Sequence, residues 1–237
     1  MVLEVCANSF ESAKNAQLGG AKRIELCQEL SIGGITPSYG LVKQVVDKLS
    51  IPVFVLVRPR SGHFVYSPEE IDVMLNDIQL FKELGCSGIV SGALHLDGTI
   101  NVSQTRELID ASGDLPFTFH RAFDEVINPK ESLLQLIDLG VTRVLSSGQK
   151  STALEGITLL SQLRDLGLNQ IKVMPGAGVN EDNILKFKEM EFEEVHSSAS
   201  MITGEGQGEG LFSKDTLTVT STEKVKAMVN LISKPNS

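Results

Sequence analysis

Apolar residues fall along this chain in two alternating patterns: short blocks that are apolar at both parities, and longer stretches in which they recur every third or fourth position. The blocks read as parallel strands buried on both faces, at residues 2–7, 23–27, 53–57, 88–91, 116–120, 143–146, 171–174 and 194–197. The stretches read as amphipathic helices, for instance through Leu41, Val42, Val45, Val46 and Leu49, or Ile71, Met74, Leu75, Ile78 and Phe81. A Leu-Gly pair closes four of them, at Leu18-Gly19, Leu84-Gly85, Leu139-Gly140 and Leu166-Gly167, each four or five residues before a strand. Glycine suits the left-handed position that ends a helix, so each pair reads as a helix-to-strand junction.

Helix starts follow the same rhythm. Ser67-Pro68-Glu69-Glu70 and Asn128-Pro129-Lys130-Glu131 each offer a capping side chain, a proline in the first turn and a glutamate three residues on, and Asn8 with Glu11 is a weaker version. Eight strand-then-helix units predict an α/β fold, a (β/α)8 TIM-type barrel formed by residues 1–237 as a single domain. The glycine-rich stretch near 204–210 is expected to be a mobile part of the last connection.

Composition narrows the function classes. With 41% hydrophobic and 22% charged residues, and no apolar run long enough for a membrane span, a soluble protein without a membrane partner is expected. Met1-Val2-Leu3-Glu4-Val5-Cys6 reads as a strand and not as a signal segment, which makes the cytoplasm the default location. Cys6, Cys27 and Cys86 are odd in number and far apart, so thiols in a reducing compartment are expected. A net charge of −9 argues against a nucleic-acid partner.

A barrel of this kind carries its chemistry where strands end and the following loops begin. Strand parity lets Glu4 align with Cys6 and Glu25 with Cys27, and other strands end in Arg58-Pro59-Arg60, His120-Arg121 and His196-Ser197-Ser198. Gly176 and Gly178, beside Ser197 and Ser198, occupy the loops that hold phosphate in many barrels. With Arg58, Arg60 and Arg121 they form a candidate anion site, although Gly-x-Gly is also an ordinary tight turn and the arginines can equally pair with Glu4, Glu25 and Asp124. Cys6 and Cys27 are candidate soft-metal ligands or small buried hydrophobes. His120 is a candidate general acid or base with Glu25 as partner, and Cys86 reads as structural.

The chain contains the runs Ile24-Glu25-Leu26-Cys27, Gly33-Gly34-Ile35-Thr36-Pro37-Ser38, Arg58-Pro59-Arg60, Thr118-Phe119-His120-Arg121-Ala122-Phe123-Asp124, Arg143-Val144-Leu145-Ser146-Ser147-Gly148 and Val195-His196-Ser197-Ser198-Ala199. Through these it resembles the CutC copper homeostasis family. The resemblance implies the barrel, a cytoplasmic setting, a link to copper and a Cu(I) ion held by Cys6 and Cys27; a homo-oligomer, dimer or tetramer, is also expected. The chain departs from the family pattern at Ser61 and His63, where glycine and aspartate are common. Two functions are therefore expected as alternatives: a copper homeostasis protein binding Cu(I) at the barrel mouth, or an enzyme acting there on a small anionic, phosphorylated or similar metabolite.

Overall fold

The computed structural model describes residues 1–204 and 217–234. Eight parallel strands form the barrel: β1 (Val2–Ala7), β2 (Arg23–Leu26), β3 (Val53–Leu56), β4 (Gly88–Ser91), β5 (Phe117–Phe119), β6 (Arg143–Ser146), β7 (Lys172–Pro175) and β8 (Glu194–Ser197). Neighbours in sequence are neighbours in the sheet, and β1 pairs with both β2 and β8, as Glu4 lies opposite Arg23 on one side and His196 on the other. The barrel is nearly closed. Among the described residues the β7–β8 seam carries no backbone ladder, but the Ser197 hydroxyl donates to the Val179 carbonyl at 2.6 Å and draws the two strand ends together.

Helices alternate with these strands: α1 (Phe10–Gly19), α2 (Tyr39–Lys48), α3 (Pro68–Glu83), α4 (Val102–Ser112), α5 (Pro129–Asp138), α6 (Ile157–Gly167), α7 (Ile184–Glu189) and α8 (Thr222–Ser233). Their local signals work largely as expected. Ser67 and Glu70 form a reciprocal capping box on α3, and Gly85 and Gly140 end α3 and α5 with positive φ.

Three details differ. Ser9, not Asn8, caps α1, and the Asn128 side chain makes no capping bond on α5. The left-handed residue after α1 is Gly20, because Gly19 stays helical to let α8 approach: a Cβ there would lie 2.4 Å from Val225 Cβ. After α6 the left-handed pair is Leu168 and Asn169, one step past Gly167.

An antiparallel pair, β9 (Ser200–Gly204) and β10 (Leu217–Thr220), stands between β8 and α8 where a plain connection was expected. The residues of the 204–210 stretch beyond Gly204 lie outside the described residues.

The packing has two shells. Outward-facing strand residues such as Leu3, Val5, Ile24, Leu26, Val144 and Val195 are fully buried against helix residues including Met74, Ile78, Phe81, Leu136 and Phe187. Inside the barrel a separate small cluster joins Cys6, Cys27, Phe54, Leu56 and Val90.

The interior also carries charges. Arg23 bonds Glu4 and Glu194, Arg143 donates to Glu194 at 2.8 Å, and both guanidinium groups lie 5.0 Å from the Phe54 ring centroid. Each charge of this layer, Glu4, Arg23, Arg143 and Glu194, thus has an opposite partner, which offsets the desolvation that would otherwise exclude it.

Candidate functional site

Above this ionic layer a cavity of about 260 Å³ opens among the strand ends. Its walls include Cys6, Glu25, Leu56, Arg58, Phe64, His120, Arg121, Gly178, His196 and Ser198, contributed by strands or loops on every side of the barrel. Arg58, Phe64 and Arg121 also border an outer vestibule of about 640 Å³, lined further by Asp124, Gln149 and Lys150.

One wall is a proton-sharing chain. His196 Nδ1 lies 2.8 Å from Glu4 Oε1, and its Nε2 lies 3.5 Å from Glu25 Oε2. Burial works against the Glu4 charge, but the Arg23 cation and the bonds from His196 and Arg23 outweigh it and hold the carboxyl at about 2. Burial likewise disfavours a charged His196, and the two glutamates outweigh it, raising its pKa. Glu25 is raised, because burial dominates over the attraction of His196. Glu25 therefore faces the cavity as a carboxyl that holds a proton more readily than an ordinary glutamate.

Cys6 lies beside this chain. Its Sγ is 3.5 Å from Cys27 Sγ, and Cys6, Glu25 and His196 offer ligand atoms within 4.8 Å of one another. Cys6 borders the cavity, whereas Cys27 is wholly buried behind it. The hydrogen bond between the thiols, together with burial, pushes the Cys6 thiol well up, so Cys6 rests protonated.

The opposite wall holds Arg58 and His120. Arg58, only 5% exposed, donates Nη1 to the carbonyls of Ile32 and Gly34 and Nη2 to that of Gly62. The other two arginines buried as deeply, Arg23 and Arg143, are paired with carboxylates; Arg58 has no ion pair among the described residues. His120 packs against Phe64, ring centroids 4.8 Å apart, and against Phe119 at 6.0 Å. Burial and the Arg58 charge depress its pKa to about 3, leaving the ring neutral.

The residues expected to act together are only partly gathered. His120 and Glu25 line one cavity, but the partner that Glu25 meets is His196, on the next strand but one. Of the anion candidates, Arg58, Arg121, Gly178, Ser197 and Ser198 border the cavity. Arg60 does not: it bonds the capping glutamate Glu70 and the carbonyls of Ser61, His63 and Val65.

The Gly176 N–H is committed to the Ser146 carbonyl at 2.9 Å, and the Ser197 hydroxyl is committed to the seam. Arg121 pairs with Asp124 at 2.8 Å. Glu4 lies below the mouth, in the ionic layer, and Cys86 is buried at the helix end of the barrel after α3. Sequence reasoning did not single out Arg23, Arg143 and Glu194. Their signal was a charged residue inside a short apolar strand.

Fold and site together define a (β/α)8 barrel with an enclosed cavity of thiol, imidazole, carboxyl and guanidinium groups at the carboxyl ends of its strands. The model of the CutC family matches residues 1–201, and the chain belongs to that family. Relatives include a family protein CutC from Pasteurella multocida, 49% identical over 84% of this chain and 82% of its own length. Another, from Photorhabdus laumondii, is 46% identical over 84% of this chain and 80% of its own.

Among solved structures, a CutC protein from Streptococcus agalactiae whose name links it to copper homeostasis superposes with a TM-score of 0.79 at 33% identity, covering 84% of this chain and 98% of that one. A thiamine phosphate pyrophosphorylase from Pyrococcus furiosus, at 14% identity and a TM-score of 0.62 over 98% of this chain and 95% of that one, shares the fold alone. No helix among the described residues is long and apolar enough to cross a membrane.

Proposed function

We propose that the chain is an enzyme acting on a small anionic metabolite in the inner cavity. The observation that carries this reading is Arg58, a buried cation on the cavity wall whose hydrogen bonds go to backbone carbonyls and whose charge has no carboxylate partner among the described residues. Buried charges are stable when paired, so an anionic ligand is the natural complement. Arg121 at the rim, paired with Asp124, and the Gly178–Ser198 side add polar groups. Glu25, poised by burial and backed by His196 and Glu4, is the group best suited to move a proton at the bound ligand.

Calorimetric titration with phosphate, sulfate and small carboxylates tests this. Arg58→Gln is expected to weaken anion binding by about 1.5 to 3 kcal/mol, the worth of a charge-assisted hydrogen bond. Arg58→Lys, which keeps the charge, should lose less. No binding to the wild type at millimolar anion would refute the reading.

A second reading, Cu(I) held by Cys6 and Cys27, is favoured by their 3.5 Å sulfur separation and by the nearness of Glu25 and His196 to Cys6. With metal–sulfur bonds of roughly 2.3 Å, as for zinc, such a separation sets an angle near 100° at the ion, so a third donor is needed. Glu25 and His196, whose ligand atoms lie within 4.8 Å of the Cys6 sulfur, are the candidates to supply it. Against this, both thiols are buried and Cys6 holds its proton tightly. In a Cu(I) competition titration, equal affinity of the wild type and the Cys6→Ser, Cys27→Ser double variant would eliminate this reading.

A further inference from the structure

His120 has a feature the anion reading does not use. Its Nδ1 accepts the Ala122 main-chain N–H at 3.4 Å, so a neutral ring must carry its proton on Nε2. That Nε2 atom is buried and without a partner among the described residues, although the ring lines the cavity. A buried N–H donor left unsatisfied carries a desolvation penalty, which a ligand oxygen would recover. The Phe64 and Phe119 rings hold the imidazole in place.

We propose that His120 is a specificity-determining residue that donates its Nε2–H to a carbonyl oxygen of the ligand, and that the ligand is a small carboxylate bearing a carbonyl group. The inference rests on the anion reading above and deepens it: Arg58 faces the negative charge, and His120 selects for an unprotonated oxygen acceptor. An ammonium group, which only donates, is rejected at this position. The charged or titratable groups around the cavity are Arg58, Arg121, Glu25, His196 and Cys6, and the Arg58 charge reinforces the neutral ring. A neutral donor also strengthens its hydrogen bond as charge builds on a carbonyl oxygen, without releasing a proton to it.

The test uses pyruvate, propionate, alanine and phosphate as probes, with calorimetry on wild type, His120→Phe and His120→Gln. Pyruvate is expected to bind the wild type more tightly than propionate or alanine. His120→Phe, which fits the aromatic surroundings, should lose on the order of tenfold for pyruvate and leave propionate unchanged. His120→Gln, which retains an N–H donor near the same point, should recover most of the loss. Imidazole nitrogen NMR of the wild type should show the Nε2–H tautomer at pH 5 and at pH 8.

Equal pyruvate affinity in wild type and His120→Phe, with phosphate or propionate still bound, would overturn this inference alone. A proton on Nδ1 would do the same. Failure of every probe to bind the wild type would overturn the anion reading and this inference with it.

Discussion

Replacing His120 by phenylalanine should change how stability depends on pH, and the size of the change follows from the site. The folded imidazole titrates at about 3 against an ordinary value of 6.5. A histidine depressed by folding takes up its proton less readily in the native state than in the unfolded chain. Its stabilising contribution is complete above its unfolded pKa and is withdrawn as the pH falls toward the folded value. The whole shift corresponds to about 5 kcal/mol, of which about 2 kcal/mol has gone by pH 5.

The other buried groups titrate in their own windows. The raised His196 contributes stability below its unfolded pKa that declines as pH rises through its folded one, and Glu4, held at about 2, contributes stability above 4.5 that is lost as pH falls below it. Both are retained in the variant, so they cancel in a comparison. Urea unfolding of wild type and His120→Phe at pH 8 and pH 5 reads the difference. The wild type should lose about 2 kcal/mol more than the variant on acidification. Parallel losses would mean that the native imidazole protonates freely, and the neutral donor argued above would be refuted.

Two further outcomes test the interior. Glu4→Gln leaves Arg23 with Glu194 alone and takes the nearer carboxylate from His196, and should cost about 3 kcal/mol in urea unfolding at neutral pH; a cost under about 1 kcal/mol would show that the ionic layer does not support the barrel. Gly88→Ala brings a Cβ within 2.4 Å of the Phe54 ring, which lies against Arg23 and Arg143, and should cost about 1–3 kcal/mol by thermal unfolding. An unchanged melting temperature would contradict that close packing.

The barrel was legible because its strands are short, apolar and separated by helices with punctuated ends: observed and expected strand boundaries differ by no more than a residue, as at β5 and β7. The β9–β10 pair was not, since Ser200–Gly204 and Leu217–Thr220 are short segments on either side of a glycine-rich stretch that reads as a loop.

For the site, parity set Glu4 with Cys6 and Glu25 with Cys27 on one face of each strand, and the β1–β2 register, with Cys6 opposite Glu25, brings the two sulfurs together. Parity fails beyond the strand ends. Arg58 and Arg60 lie two apart and read alike, but Arg60 is turned away by the capping glutamate of α3. Which imidazole would find Glu25 depended on barrel closure: β8 sits beside β1, next to β2, and so His196, not His120, reaches it. The depth of Glu4 and the charges at Arg23, Arg143 and Glu194 depended on knowing that the barrel interior is filled by ion pairs below the mouth.

The fit of α8 against α1 divides the chain in an unexpected place. The cavity walls lie wholly within residues 1–201, the span of the family match, but the outer ring of helices is completed only by Thr222–Ser233, where Val225 seats on Gly19. Asn8 and Asn15 reinforce this join by donating to the carbonyls of Thr218 and Thr220. Chemistry and closure are thus written in separate stretches of sequence. The last stretch meets the first helix through a small apolar surface on a bare turn, while every group that lines the cavity precedes it.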